Sequence, residues 1–148
     1  MKLRIVSFGH KRDELQPLLD DYAGRLVRPW SLELVDHPSA RKSEKESAAE
    51  VMAREAAKIS GVYWALCVEG KAASSAELAK WLGQSADSRR ELSFVIGGAD
   101  GLDASVVRGA ERRLSLSALT LPHRLARLIL VEQIYRAQTI LRGTSYHK

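Results

Sequence analysis

Short β-rich apolar runs alternate with segments of helical periodicity along this 148-residue chain. The runs predict strands at residues 2–8, 31–36, 62–68, 92–96 and 114–119, and the periodic segments predict helices at residues 13–27, 44–59, 74–82, 103–112 and 122–141. Such alternation is typical of a parallel sheet covered by helices on both faces. Because no linker, repeat or low-complexity tract interrupts it, we expect one α/β domain over residues 1–148, a three-layer sandwich with a mostly parallel sheet.

Two of the expected helices begin with the Ser-x-x-Glu spacing of a capping box, in which both side chains satisfy free backbone N–H groups. Ser43 with Glu46 would start the helix at 44–59, and Ser74 with Glu77 would start the helix at 74–82. Residues 38–42 then form a polar, basic loop before the first of these helices.

The bulk composition narrows the classes of protein to which this chain can belong. Hydrophobic residues make up 45% of it, enough for a core, and no apolar run approaches the roughly 20 residues that span a bilayer. The single cysteine, Cys67, excludes an internal disulfide framework, and its apolar surroundings predict a small core residue. The four histidines show no metal-ligand spacing, so no metal site is expected. A cytoplasmic protein is the simplest interpretation.

Positive charge is concentrated in the last third of the chain. Residues 1–103 carry 15 Lys and Arg against 16 Asp and Glu, a net charge of −1, whereas residues 104–148 carry 8 against 2, a net charge of +6. Seven of those eight basic residues are arginines, which suit bidentate contacts to phosphate groups. This asymmetry favours nucleic acid as a partner, and a solvated helix face is the alternative.

Two strand-to-helix connections carry unusual residues. The strand at 92–96 leads into Gly97, Gly98 and Gly101, with Asp103 as the N-cap of the next helix. Glycines at the end of a strand let the backbone approach a ligand closely, although a plain tight turn would use them as well. The strand at 114–119 enters the long last helix through residues 120–123. We expect these two loops to form two walls of one pocket.

Common nucleotide-binding patterns are missing from the chain. The glycine loop reads Gly-Gly-x-x-Gly rather than Gly-x-Gly-x-x-Gly, and no Walker loop is present, so a nicotinamide oxidoreductase has little support. Apolar walls, backbone donors and acceptors, and nearby arginines suit a ligand with an adenine ring and polar ends, such as S-adenosyl-L-methionine. That molecule carries its own electrophilic methyl group, so the protein needs only to position an acceptor and manage one proton.

The last helix has more apolar residues than one buried face needs. Leu125, Leu128, Ile129, Leu130 and Val131 already cover more than one stripe of its surface. A surplus of this kind favours packing against a second copy of the chain in a homodimer, and a helix fully buried within one copy is the alternative.

Four segments together resemble a known family. They are residues 94–101 (FVIGGADG), 114–123 (LSLSALTLPH), 130–137 (LVEQIYRA) and the closing 146–148 (YHK). This set resembles the RlmH (YbeA) family of bacterial large-subunit rRNA pseudouridine N3-methyltransferases, of the SPOUT class. The N-terminal residues 1–9 are similar too, as are Leu66, Gly70 and Lys71, so the resemblance spans nearly the whole chain.

The resemblance implies a fold and a reaction that spacing alone does not. The implied fold is an α/β domain whose C-terminal part forms a trefoil knot, in a homodimer that binds S-adenosyl-L-methionine at the knot and the subunit interface. The implied reaction transfers a methyl group from S-adenosyl-L-methionine to N3 of a pseudouridine in a stem-loop of 23S (large-subunit) rRNA, on the assembled ribosome. The partners would then be the ribosome and its large-subunit rRNA, with no membrane and no metal.

The same resemblance assigns residues to the site by motif. The implied cofactor contacts, largely through the backbone, are Leu66, Gly97, Gly98, Leu116, Ser117, Ala118, Leu119, Thr120, Leu121 and Pro122. The implied catalytic residues are Arg136, Tyr146 and His147.

A mechanism follows for these three side chains. Arg136 would stabilise negative charge on the carbonyl oxygens next to the acceptor nitrogen, and His147 or Tyr146 would orient the base or accept its proton. Arg136 could instead anchor a phosphate, Tyr146 and His147 could belong to a frayed terminus, and His123 is a structural residue at a helix start. The alternative to an enzyme is a ribosome-binding factor that uses the same arginine-rich face without catalysis.

Overall fold

A five-stranded parallel sheet organises the protein, and helices cover both of its faces. A computed structural model describes residues 1–9, 14–37, 46–88, 90–98 and 100–148, and in it the strands lie in the order β2-β1-β4-β3-β5 with every neighbouring pair parallel. The strands are β1 (Lys2–Phe8), β2 (Ser31–His37), β3 (Val62–Ala72), β4 (Leu92–Ile96) and β5 (Arg112–Ser115). The helices are α1 (Gln16–Gly24), α2 (Ala48–Ala56), α3 (Ser75–Asp87), α4 (Ala104–Gly109) and α5 (His123–Leu141). The predicted element order and the three-layer α/β class are confirmed.

The core divides into two parts because residues alternate between the faces of each strand. On one face, Phe94 of β4 and Trp64 of β3 pack against α1, α3 and α5. On the other face, Val95 of β4 packs with residues of α2 and α4. All five residues of β4 are buried, as expected for a central parallel strand with helices on both sides.

Two strands end four residues away from their predicted ends, while β5 also begins two residues earlier, at Arg112, and β2 ends one residue later, at His37. The fifth strand ends at Ser115 rather than at Leu119, because Ser115 Oγ donates a hydrogen bond to Ser117 O (2.9 Å) and Ser117 Oγ accepts one from Leu119 N (2.9 Å). These local hydrogen bonds compete with a strand ladder. The third strand runs on past Val68 to Ala72, because it resumes pairing with β5 after an irregularity.

The helices also begin and end at other residues than the sequence predicts. The second helix starts at Ala48 after a capping box of Ser47 and Glu50, since the Ser-x-x-Glu spacing occurs twice in succession; Glu46 lies outside the helix. The predicted cap Ser43 and the loop 38–42 fall outside the described residues. The helix predicted at 13–27 spans Gln16–Gly24, and the one predicted at 103–112 is Ala104–Gly109.

The third helix confirms its capping box and is longer than predicted. Ser74 and Glu77 bond reciprocally at its start, and it continues through Gly83 to Asp87 instead of ending near Leu82. Gly83 is tolerated inside the helix because α5 packs tightly there: a Cβ at Gly83 would lie 3.2 and 3.5 Å from the δ-carbons of Leu141.

The irregularity in β3 creates an excursion at the carboxyl edge of the sheet. Leu66 and Lys71 are both register partners of Leu114, so residues 67–70 leave the ladder and return to it. Gly70 closes this excursion. A Cβ at Gly70 would lie 2.6 Å from Leu114 C and 2.8 Å from Arg113 C, so backbone packs directly on backbone at this point.

We predict that Gly70→Ala destabilises the protein by about 1–3 kcal/mol, because the methyl group would overlap backbone that cannot rotate away. Gly24→Ala is the matched control, since a Cβ at Gly24 meets nothing within 4 Å at the exposed end of α1. Chemical denaturation of both variants measures the difference. Equal stabilities would contradict the close packing of β3 on β5.

Candidate functional site

A cavity of about 280 Å³ opens at the carboxyl edge of the sheet. Its walls come from three segments: the excursion of β3 from Leu66 to Glu69, the glycine loop after β4, and the loop after β5. Because β3 lies between β4 and β5, the two loops predicted as walls flank a third wall, of which the sequence analysis had assigned only Leu66. The start of α5 closes one side through Ala126.

The glycine loop is both a tight turn and a cavity wall. Gly98 O accepts a hydrogen bond from Gly101 N at 3.1 Å, and Gly101 has a φ of +77°. A Cβ at Gly97 would lie 2.3 Å from Gly101 C and O. Only glycine therefore fits at position 97 while the turn keeps this shape. Gly97, Gly98 and Gly101 all line the cavity.

The loop after β5 supplies the opposite wall. Leu116, Ser117, Leu119 and Leu121 line the cavity, whereas Ala118, Thr120 and Pro122 belong to the same loop but are absent from the lining. The Ser115 and Ser117 hydrogen bonds hold the path of this loop. With Leu66, Gly97 and Gly98, seven of the ten residues that the resemblance assigns to the cofactor lie together around one space.

Cys67 corrects one sequence expectation. It is only partly buried and lines the cavity, so it is not a core residue. Burial is the main cause that raises the pKa of its thiol, and the nearby Glu69 adds to it, so the thiol stays protonated at neutral pH. Gly70, three residues after Cys67, was the sequence signal that this strand bends here.

The C-terminal tail folds back onto α5. Gly143, with a φ of +66°, donates to Ile140 O, and Thr144 N donates to Thr139 O, which together form a Schellman motif. The motif reverses the chain direction, so that Tyr146 OH reaches Glu132 Oε1 at 2.9 Å. The tail is therefore packed against the helix rather than frayed.

Glu132 holds the predicted catalytic residues together. Its Oε1 accepts hydrogen bonds from Arg136 Nη2 (2.6 Å) and Nε (3.0 Å) as well as from Tyr146. The Arg136 guanidinium lies 4.8 Å from the centre of the Tyr146 ring, and its Nη1 lies 3.4 Å from Nδ1 of the exposed His147. We call Glu132, Arg136, Tyr146 and His147 the tail cluster. The sequence predicted three of its members and missed Glu132, whose signal was its i, i+4 spacing to Arg136.

Neighbouring groups keep the Arg136 guanidinium and the Tyr146 phenol of the tail cluster protonated. The hydrogen bonds to Glu132 raise the pKa of the Arg136 guanidinium. Burial, a hydrogen bond with Tyr22 and the hydrogen bond to Glu132 raise the pKa of the Tyr146 phenol well above its ordinary value. A phenol in this state acts as a hydrogen-bond donor and does not accept a proton at neutral pH.

The tail cluster and the cavity lie apart within one chain. Ala126 lines the cavity, and Arg136 follows ten residues later on the same straight helix, which places it about 15 Å further along at the α-helical rise. Neither Arg136 nor Tyr146 lines the cavity. Within one chain, the tail cluster is therefore separate from the lining of the cavity.

Comparison with known proteins assigns the family. A family model described as "Predicted SPOUT methyltransferase" matches residues 1–147. The chain belongs to the SPOUT methyltransferase family. It is 42% identical to a protein of Anaeromyxobacter sp. (strain Fw109-5) and 38% identical to one of Gemmatimonas aurantiaca, both named "Ribosomal RNA large subunit methyltransferase H", with 100% of each chain covered in both comparisons. The resemblance to the RlmH family is confirmed.

Solved structures of low sequence identity share the SPOUT-family fold. A probable methylase family protein from Haemophilus influenzae Rd KW20 superposes with a TM-score of 0.62 at 13% identity, over 99% of this chain and 70% of that one. A putative methylase family protein from Neisseria gonorrhoeae gives a TM-score of 0.52 at 15% identity, over 90% of this chain and 81% of that one.

Much of the basic C-terminal third of this SPOUT-family chain is engaged in internal contacts. Arg127 is 1% exposed, and its Nη2 lies 2.8 Å from Asp36 Oδ1. Arg112 stacks over Trp81, with its guanidinium carbon 4.1 Å from the ring centre. Arg136 binds Glu132. The charge asymmetry therefore overstates the number of arginines that a nucleic acid could contact.

Metal-binding clusters and membrane-spanning helices are both absent from the described part of the chain. No group of three or more histidine, cysteine, aspartate or glutamate side chains is placed to hold a metal ion among those residues. Within the same residues, no helix is both long and apolar enough to cross a membrane.

We predict that Tyr146→Phe lowers the free energy of unfolding by about 1 kcal/mol at neutral pH, because it removes the hydrogen bond to Glu132. The raised pKa of the phenol means that the folded state holds this proton more tightly than the unfolded state does. That stabilisation is present below the ordinary tyrosine pKa of about 10 and is lost as the pH rises above it. Denaturation of both proteins across this range measures the gap, which should narrow at alkaline pH; a constant gap would contradict the assignment.

Proposed function

We propose that this chain transfers a methyl group from S-adenosyl-L-methionine to N3 of a pseudouridine in 23S (large-subunit) rRNA on the assembled ribosome. Membership of the SPOUT methyltransferase family supports methyl transfer. The relatives that share 37–42% identity over their full length are named "Ribosomal RNA large subunit methyltransferase H". That name supports large-subunit rRNA as the substrate. The observation that carries the proposal is the joint presence of a glycine-walled cavity and a cationic tail cluster.

The cavity fits the adenosyl part of such a methyl donor. Its lining is largely apolar, with Leu66, Leu114 and Leu116 around the glycines, and its volume of about 280 Å³ lies near the lower end for ligand sites. The missing Cβ at Gly97 lets the backbone of the glycine loop pack on itself at Gly101 and Leu102, so polar atoms of the ligand would meet backbone donors and acceptors. When bound, S-adenosyl-L-methionine supplies the electrophilic methyl group.

The tail cluster fits the acceptor side of the reaction. Removal of the N3 proton leaves negative charge on the neighbouring carbonyl oxygens, and the Arg136 guanidinium would stabilise that charge. Glu132 orients Arg136 through two hydrogen bonds. His147, exposed beside Arg136, is the group suited to accept the proton, whereas Tyr146 would position the base. Its raised pKa makes Tyr146 a donor rather than a base.

Two copies of the chain would bring these parts together. Leu119 is 74% exposed and Val68 is 51% exposed at the cavity, and Leu125 and Ile129 of α5 are also exposed. A second copy packed on this apolar face in a homodimer would cover the open side of the cavity and could present its own tail cluster there. We also propose that the C-terminal part of the chain forms a trefoil knot and that the protein is cytoplasmic.

Titration calorimetry with S-adenosyl-L-methionine tests the enzymatic proposal directly. We expect saturable binding to the wild-type chain and strong loss in Gly97→Ala, whose methyl group would displace the cavity wall. Gly24→Ala should bind as the wild type does. Absence of binding to the wild type would favour a ribosome-binding factor without catalysis, and preferential binding of NAD would favour an oxidoreductase.

We predict that Arg136→Ala and His147→Ala each lower kcat for rRNA methylation by about 100-fold or more at saturating cofactor. Cofactor affinity should stay unchanged, because neither residue lines the cavity. Lys80→Gln on the exposed side of α3 is the charge control. Mass spectrometry of rRNA from ribosomes of a deletion strain, incubated with each protein, reports the methylated pseudouridine. Rates near wild type for both variants would rule out these roles.

We predict that an inactive Gly97→Ala subunit and an inactive Arg136→Ala subunit restore activity to each other. A heterodimer purified with two tags would contain one intact pair of cavity and tail cluster, and should give about half of the wild-type rate per dimer. If cavity and tail cluster of the same chain worked together, the heterodimer would contain no intact pair and would be inactive. An inactive heterodimer that is folded and dimeric would therefore refute the shared site.

A further inference from the structure

A second cavity, of about 410 Å³, lies beside the tail cluster. It is formed where the last turn of α1, the last turns of α5 and the C-terminal tail meet. Arg25, Tyr135, Arg142, Thr144, Ser145 and Tyr146 are among its lining residues. Tyr146 thus faces both this cavity and Glu132 of the tail cluster.

The walls of this second cavity are held by paired hydrogen bonds. The side-chain amide of Gln138, 5% exposed, accepts from Val27 N at 2.9 Å and donates to Val27 O at 2.6 Å, which ties the chain after α1 to α5. On the other side, the Schellman motif around Gly143 fixes Thr144 against Thr139. A ligand would therefore enter a preformed space and would not have to order a loose terminus.

Two arginines, Arg25 and Arg142, line the cavity, and the Asp21 carboxylate pairs with the first of them. The Arg25 guanidinium lies 5.2 Å from the centre of the Tyr22 ring and binds Asp21 at 2.7 Å, so its position is held while further N–H donors remain. Arg142 is exposed and has no acidic partner among the described residues. The Ser145 hydroxyl adds a neutral donor, whereas the Thr144 hydroxyl already donates to Thr139 O (3.3 Å), and no carboxylate belongs to the described lining.

We propose that this cavity binds a phosphodiester of the substrate RNA, in the backbone next to the nucleotide that the tail cluster receives. Two guanidinium groups and the Ser145 hydroxyl, around a described lining without carboxylates, match the donor set that binds phosphate. The aromatic rings are already in contact with one another: Tyr135 and Tyr146 meet edge to face at 4.8 Å, so the cavity suits a phosphate and not a stacked base. This inference rests on the proposed function for the identity of the RNA.

The test uses Arg25→Gln and Arg142→Gln in the full chain, with purified bacterial 70S ribosomes as the probe and without methyl donor. We expect each variant to weaken ribosome binding by about tenfold, as for a lost hydrogen bond to a charged group. Each should also reduce by about one the slope of the logarithm of affinity against the logarithm of salt concentration. Lys80→Gln removes one charge on α3, which packs on α5, and should change neither quantity.

Two further measurements separate this cavity from the other parts of the site. Arg25→Lys and Arg142→Lys should recover most of the salt slope, because the charge remains, and affinity for S-adenosyl-L-methionine should be unchanged in all variants. Unchanged ribosome affinity and salt slope in both glutamine variants would overturn the phosphate site while leaving methyl transfer intact. Failure of the wild type to methylate rRNA would overturn the proposed function, whereas the binding differences would still support the cavity.

Discussion

The carboxyl edge of the sheet depends on two places where backbone packs directly on backbone. Gly97 contacts Gly101 and Leu102, and Gly70 contacts Arg113 and Leu114, with no room for a Cβ in either case. Each contact joins two of the segments that surround the cavity or folds one of them back on itself. Because backbone atoms have no rotamers, these contacts hold the loops at distances that side-chain packing alone would leave adjustable. The apolar cavity exists because these segments can approach so closely.

The long helix α5 connects this edge to the tail cluster. Its first turns close the cavity, its middle is buried through Leu130 and Ile134, and the part from Glu132 onward carries Arg136 and contacts the returning tail. Neither Arg136 nor Tyr146 lines the cavity of the same chain. The exposed apolar residues Leu125 and Ile129 lie on the same helix, which supports the proposal that a second copy of the chain completes the site.

The sequence predicts some elements well because their signals are local. The bounds of β1 and β4 and the Ser74–Glu77 cap follow from short patterns that need no tertiary information. The predicted start of α2 was wrong because two identical Ser-x-x-Glu spacings follow one another, and the local pattern does not choose between them. The end of β5 was wrong because serine hydroxyl groups redirect the chain.

Part of the candidate site was predictable because its sequence signals are also local. Glycines mark close approaches, so the glycine loop could be assigned from its residues, but the excursion of β3 depends on pairing with a strand more than forty residues away. Tyr146 and His147 had no local signal at all. Their placement requires the chain reversal at Gly143 and the acceptor Glu132. The resemblance assigned the two residues to the site through the closing motif 146–148 alone, without either of these contacts.

The net charge of a sequence segment does not show which of its charged side chains the fold leaves exposed. A net charge of +6 over residues 104–148 favours a nucleic-acid partner, yet a buried ion pair, a cation–π stack and a carboxylate pair engage Arg127, Arg112 and Arg136. Arg127 is buried beside Asp36, so an RNA on the surface cannot contact its guanidinium. Arg25, which lies in the nearly neutral part of the chain, is instead brought beside Arg142 by the fold, and its exposed guanidinium keeps further N–H donors although it pairs with Asp21. The electrostatic surface that a polyanion meets is therefore set by which guanidinium groups are exposed, and not by where basic residues cluster in the sequence.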